Sequence, residues 1–304
     1  MVKRFAVIGV FLLAALPVSA APPDGDAQIR GGAGDSTIII TTKRRLAGAI
    51  HSLKWNGKEF INSADHGRQL QSASSFDNTP TANAETFNPT EAGSRRDGAG
   101  NNSTSHLIEL VASGNHLHTK TQMAFWLAPG ERSEGQLARN VNTLSDYLLT
   151  KDVTIGFGRW PQALDYRVTF SVPASAHNIY AQFEALTGYM PPEFDHFWEF
   201  NPKNQKLQPL DYGPGEIRNP VVLATADGKY AMGIYSLNEK PPDTSGPGYG
   251  RWYFERARVA KWNCVFRVRK PNGIPGGEYG CRMLVPVGTL AQVEAMLRDW
   301  RELK

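Results

Sequence analysis

Three segments concentrate side chains that could move protons or grip a sugar. In the densest, Pro191-Pro192-Glu193-Phe194-Asp195-His196-Phe197-Trp198-Glu199-Phe200, aromatic rings alternate with carboxylates and a histidine. Flat rings cover the apolar faces of pyranoses, carboxylates bind hydroxyl groups, and desolvation by Phe and Trp raises a carboxyl pKa as a general acid requires. Trp198 is the stacking platform, Asp195 a substrate ligand, and Glu193, His196 and Glu199 are catalytic candidates. Alternatively, Phe194, Phe197 and Phe200 anchor a loop on the core while the carboxylates point to water.

The run Asp65-His66-Gly67-Arg68-Gln69-Leu70-Gln71 sets polar side chains around a glycine just after an expected strand. Arg68 and Gln69 offer donors and an acceptor to sugar hydroxyls, and His66 can transfer a proton near neutral pH. A hydrogen-bonded, solvated turn would have the same composition. In Phe87-Asn88-Pro89-Thr90-Glu91-Ala92-Gly93-Ser94-Arg95-Arg96-Asp97, Glu91 stands near two guanidinium groups that would hold it ionised, as a base or nucleophile. Arg95 could instead receive an acidic substrate, and a salt-bridged surface loop is the plainer alternative.

His116 and His118 have the spacing of a two-ligand metal site on a strand, but the sequence names no third ligand, so no metal is expected. No cofactor is expected either. His-Glu-x-x-His, Gly-x-Ser-x-Gly, a phosphate loop and a dinucleotide fingerprint are all missing from the chain.

The elements that must position these residues read as strands. Expected strands cover 38–42, 49–55, 58–62, 106–111, 117–126, 148–157, 164–172, 178–186, 221–225, 230–236, 259–268 and 279–287. Tyr166, Val168, Phe170 and Val172 alternate with Asp165, Arg167, Thr169 and Ser171, the period of a sheet with one buried face. Trp55-Asn56-Gly57-Lys58 predicts a type I′ hairpin that sets Leu53 opposite Phe60, and Asp227-Gly228 predicts a second hairpin. One helix is expected over 290–303, capped by Thr289, with Leu290, Val293, Met296, Leu297 and Trp300 on one face. Strands nearly throughout and one terminal helix give an all-β fold, a large β-sandwich of supersandwich type with a single C-terminal helix. One domain is expected over 37–304, behind a flexible segment at 21–36. Three segments, 65–102, 189–218 and 238–251, fall outside the strand pattern and are expected to be long functional loops.

Lys3-Arg4, the apolar run 5–16 and the small-x-small site Val18-Ser19-Ala20 form a signal peptide over 1–20, which places the mature protein in the periplasm or outside the cell. No bilayer insertion is expected after cleavage. The formal charge of +4 falls to about +2 without Lys3 and Arg4, and the basic residues are scattered, which argues against nucleic acid as a partner. Cys264 and Cys281 flank a turn-rich segment that could fold back as a hairpin. In an oxidising compartment they would form a disulfide contributing roughly 3 kcal/mol.

The hairpin Ala47-Gly48-Ala49-Ile50-His51-Ser52-Leu53-Lys54-Trp55-Asn56-Gly57-Lys58-Glu59-Phe60-Ile61 resembles the opening hairpin of galactose mutarotase-like proteins. Asp227-Gly228-Lys229-Tyr230-Ala231-Met232-Gly233-Ile234-Tyr235-Ser236 resembles their late strand pair. The resemblance implies a carbohydrate ligand on the concave sheet and a His with an acidic partner as its chemistry. The motifs around a mutarotase His and Glu do not match here, so no residue role is carried over. Together these observations predict an exported enzyme that cleaves an oligosaccharide or polysaccharide, by hydrolysis or by elimination on a uronate. The alternatives are a non-catalytic glycan-binding module of the cell envelope and an envelope protein whose loops contact another protein.

Overall fold

The computed structural model describes residues 23–77, 85–175, 177–237, 240 and 243–303. The expected signal peptide at 1–20 lies outside them. The first half of the chain forms β1 (Ala27–Ala33), β2 (Ser36–Thr42), β3 (Ile50–Trp55), β4 (Lys58–Glu59), β5 (Leu70–Asp77), β6 (Pro89–Thr90), β7 (His106–Ser113), β8 (His116–Phe125), β9 (Arg132–Ser133), β10 (Gln136–Leu137) and β11 (Leu144–Phe157). The second half forms β12 (Trp160–Val172), β13 (Tyr180–Met190), β14 (His196–Asn201), β15 (Lys206–Leu210), β16 (Gly215–Ile217), β17 (Val221–Ala224), β18 (Ala231–Gly233), β19 (Tyr235–Ser236), β20 (Ser245–Phe254), β21 (Val259–Arg269), β22 (Gly277–Gly288) and the helix α1 (Leu290–Trp300).

Apart from the β9–β10 pair, the strands join in one large antiparallel sheet that does not close into a barrel. It has two legs. One runs β1–β2–β3–β5–β13–β21–β20–β16. The other runs β7–β8–β11–β12–β22 and continues through β18 and β17 to β14 and β15. The short β6 pairs with both β5 and β8 and so links the legs. Apolar faces of the two legs meet in one core, where Phe183 of β13 stacks on Tyr279 of β22 at 5.0 Å and packs against Phe170 of β12.

Local signals act as the physics predicts. Tyr166, Val168, Phe170 and Val172 are buried while their alternate neighbours are not. Asn56 and Gly57 both take positive φ, as a type I′ turn requires, and the Phe60 amide donates to the Leu53 carbonyl, which sets those two residues opposite each other. The second hairpin pairs Ala224 with Ala231 around Gly228. Thr289 caps α1 in a reciprocal box with Gln292, and Val293, Met296, Leu297 and Trp300 are buried against Val222, Tyr235 and Leu284.

Order begins earlier than expected, because 27–33 of the supposed flexible segment pairs along its length with β2. All three expected loops also contain strands: β5 within 65–102, β14, β15 and β16 within 189–218, and the start of β20 in 238–251. The cysteines are a correction. Cys264 lies on β21 and Cys281 on β22, and both are buried free thiols. The two strands sit in different legs, so the intervening turn crosses between legs instead of closing a hairpin. Burial raises both thiol pKa values, that of Cys281 to about 12, which suits inert core residues.

Candidate functional site

The ionisable cluster best suited to chemistry lies on the face of the first leg that looks away from the core. On β13, Glu184 pairs with Ala73 and Val265, then the register shifts, and Thr187 pairs with Gln71 and Asn263. The extra residue lets Ala185 and Leu186 both face the core while Glu184 and Thr187 share the outer face. Tyr189 continues that face, and its neighbour Lys261 on β21 brings an ammonium group to it. Trp126, Asn88, Thr90 and Glu85, from the segments around β6 and after β8, wall a small cavity of about 70 Å³ with Gly67, Gln71, Ala73, Glu184, Thr187, Tyr189 and Lys261. A side chain at Gly67 would place its Cβ 2.9 Å from the Trp126 ring, so glycine is what allows the indole to lie against that loop.

Lys261 sits 3.6 Å from the Glu184 carboxylate, between the rings of Tyr189 at 5.1 Å and Trp252 at 4.8 Å. Burial opposes its charge, but Glu184, the Tyr189 oxygen and Glu85 outweigh that cost and hold its pKa above the ordinary lysine value. Burial likewise opposes ionisation of Glu184, yet the Lys261 charge and hydrogen bonds from Thr187, Asn263 and Lys261 bring its pKa below the ordinary value. The Thr187 hydroxyl donates to Glu184 at 2.9 Å, and Asn263 is itself oriented by accepting from the Gly250 amide at 3.0 Å. Glu85 goes the other way. Desolvation raises its pKa, the Glu184 charge adds to the rise, and Lys261 and the Trp126 indole offset only part of it. Burial also raises the Tyr189 pKa and keeps its hydroxyl protonated. One cavity thus holds an acid-prone carboxyl, an ionised carboxylate and a fixed cation, a division of labour that acid–base catalysis uses.

The residues expected to be catalytic do not assemble here. Glu91 is 0% exposed, ion-paired with Lys151 and accepting from the Ser72 amide at 3.0 Å, so it ties the two legs together inside the core. His66 is 1% exposed, with its ring nitrogens 2.6 and 2.5 Å from the Gly98 and Arg45 carbonyl oxygens. Gln69 is buried, donating to the Ser63 hydroxyl and the Asp65 carbonyl. Arg68 pairs with Asp65 at 3.0 Å and donates to the Ala257 carbonyl. These side chains brace loops. Arg95 pairs with Glu131 at 3.5 Å, and its charge is felt by Glu85.

The 193–199 segment lies elsewhere. Glu193 pairs with Lys58 at 2.5 Å, Asp195 with His196 at 2.7 Å, and Glu199 accepts from Asn219 at 3.3 Å. Asp195, His196 and Trp198 line an open, largely apolar groove with Tyr212, which shares no residue with the Glu184 cavity. His116 and His118 both direct a ring nitrogen to Asp152, at 3.3 and 2.9 Å, and no group of metal-holding side chains occurs among the described residues.

Sequence reasoning overlooked Glu85, Trp126, Glu184, Tyr189 and Lys261. A signal was present for two of them, since Glu184 and Lys261 are polar interruptions of largely apolar strands.

No family model matches this chain, and no curated protein does. Among solved structures, it matches a putative aldose 1-epimerase from Escherichia coli K12 at 11% identity and TM-score 0.45, over 88% of this chain and 100% of the other. Galactose mutarotase-like structures are among the matches. One, from Clostridium acetobutylicum, is 9% identical with TM-score 0.37, over 84% of this chain and 94% of the other. A heparan sulfate lyase from Pedobacter heparinus is 10% identical with TM-score 0.44, over 88% of this chain but 35% of the lyase. The likeness is one of β architecture, and no residue role is taken from it.

Proposed function

We propose that the protein is an exported carbohydrate-active enzyme that hydrolyses a glycosidic bond, with Glu85 as proton donor and Glu184 as the ionised partner. The observation that carries this reading is geometric: two carboxyls, Glu85 and Glu184, line one cavity, and only Glu184 is ion-paired there, with Lys261 at 3.6 Å. Glu85 gives its proton to the glycosidic oxygen as the bond to the anomeric carbon breaks. The Glu184 carboxylate faces the positive charge that develops there and takes a proton from the water that adds. Lys261 keeps Glu184 ionised, and Trp126 offers an indole surface to the sugar ring. The cavity has room for one edge of a ring, so the rest of the glycan would extend beyond it.

Export is supported by Lys3-Arg4, the apolar run 5–16 and Val18-Ser19-Ala20. The test is a reducing-end assay of the mature protein on a panel of neutral and uronic polysaccharides, with Glu85→Gln and Glu184→Gln alongside. Each substitution should lower turnover by about 10²–10⁴-fold with the fold intact. Unchanged turnover in both variants would sink the assignment.

A second reading, a glycan-binding module without turnover, is favoured by the groove at Trp198 and Tyr212, where aromatic surface lies open beside Asp195 and His196. Sugar binding by the parent protein with no product from any substrate would select it.

A further inference from the structure

Tyr189 lines the Glu184 cavity and takes no part in the proton transfers assigned above. Its backbone is pinned on both sides. The amide donates to the Gln69 carbonyl at 3.3 Å, the carbonyl accepts from the Asn62 amide at 2.8 Å, and the residue pairs with Lys261 on β21. The Lys261 ammonium lies 5.1 Å from the centre of the Tyr189 ring and hydrogen-bonds its oxygen, so the accepting side of that oxygen is used within the protein. The donating side is not. The hydroxyl, kept protonated by burial, has no acceptor among the described residues. On the neighbouring strand β5, the Gln71 amide nitrogen is a second donor on the cavity wall without an acceptor. Each of these groups forgoes a hydrogen bond that an oxygen of a ligand in the cavity would complete.

We propose that Tyr189 is a substrate-contacting residue, whose hydroxyl donates to a hydroxyl oxygen of the sugar being cleaved and so positions that ring against Glu85 and Glu184. The inference rests on the hydrolytic reading above and adds a contact to its site. The ring oxygen is excluded as the acceptor, because a hydrogen bond there would oppose the positive charge that develops on it as the glycosidic bond breaks. A ring hydroxyl carries no such penalty. Glu184, Thr187 and Tyr189 follow one another along the same face of β13, so a sugar that presents its anomeric carbon to Glu184 brings a neighbouring hydroxyl toward Tyr189. A phenolic oxygen that already accepts from an ammonium group is also the stronger donor.

The test is a cycle between protein and substrate. Tyr189→Phe keeps the ring beside Lys261 and removes only the hydroxyl, while singly deoxygenated forms of the best substrate remove one sugar hydroxyl at a time. kcat and KM are measured for every combination with the full mature chain. Tyr189→Phe should lower kcat/KM on the parent substrate about tenfold, and on one deoxygenated form it should cost less than about twofold. The acid limb of the pH profile should stay in place, whereas a residue that acted only by holding Lys261 against Glu184 would move it. Losses that add at every position, with or without a displaced acid limb, or no loss in Tyr189→Phe, overturn the contact and leave the hydrolytic reading standing. No turnover by the parent protein on any substrate overturns both.

Discussion

Glu91 on one side, and Glu85 and Glu184 on the other, have opposite meanings, and their surroundings distinguish them. Glu91 is sealed with Lys151, whose ammonium also donates to the Gly48 carbonyl at 2.6 Å, so each partner satisfies a charge that water cannot reach. Removing one member of such a pair strands the other. Lys151→Met should therefore cost about 3–5 kcal/mol in denaturant unfolding. Turnover per folded molecule should be unchanged, and a loss of turnover with normal stability would return Glu91 to the list of catalytic groups. Glu85 and Glu184 instead border a cavity, and their unequal surroundings serve proton transfer. In sequence, Glu91 looked the better base because two arginines follow it. Arg95 and Arg96 in fact turn to Glu131, and the cation that reaches Glu91 comes from a strand 60 positions away.

At the scale of elements, the site depends on how closely β13 approaches β21. Gly188 packs against Trp262 so tightly that a Cβ would lie 2.5 Å from the indole ring. Gly188→Ala must push the strands apart between Thr187 and Tyr189, the residues that orient Glu184 and Lys261. Turnover on the best substrate should fall at least tenfold with a measurable drop in Tm, whereas unchanged turnover would show that the site tolerates movement of β13. Strand legibility followed side-chain chemistry. β12 and β22 were plain because alternation or continuous apolar character marks a buried face. β5 was hidden because Gln71, Ser72, Ser74 and Ser75 give it the composition of a loop, and β20 because Gly246, Pro247, Gly248 and Gly250 look like turn residues. Both strands gain their order from hydrogen bonds to β13 and β21, which propensity does not register.

For the whole molecule, the displaced carboxyls predict how activity and stability respond to pH. Glu184 must be ionised and its pKa lies below the ordinary 4.5, so activity is lost as pH falls through that lowered value. Glu85 must be protonated and its pKa lies above 4.5, so activity is lost as pH rises through the raised value. The kcat/KM profile should be a bell spanning 4.5, and Glu85→Gln should abolish its alkaline limb. Stability carries the same sign. The unfolded chain ionises Glu85 before the folded one does, so Glu85 costs stability as pH rises through its unfolded value, and fully so above its folded value. Glu85→Gln should leave Tm at neutral pH at or above that of the parent. Activity that climbs steadily into alkaline pH would remove Glu85 from the acid role.

The sequence by itself determined the all-β class, the two glycine-centred hairpins and the terminal helix, because each rests on local periodicity, turn chemistry or capping. Tertiary structure alone decided which polar residues share a surface. Cys264 and Cys281 lie on strands of different legs, Glu91 and His66 turn inward, and a register shift in β13 aligns Glu184 with Lys261 and the distant Glu85. These outcomes depend on strand order and register between segments far apart in the chain, and short-range spacing carries no information about either.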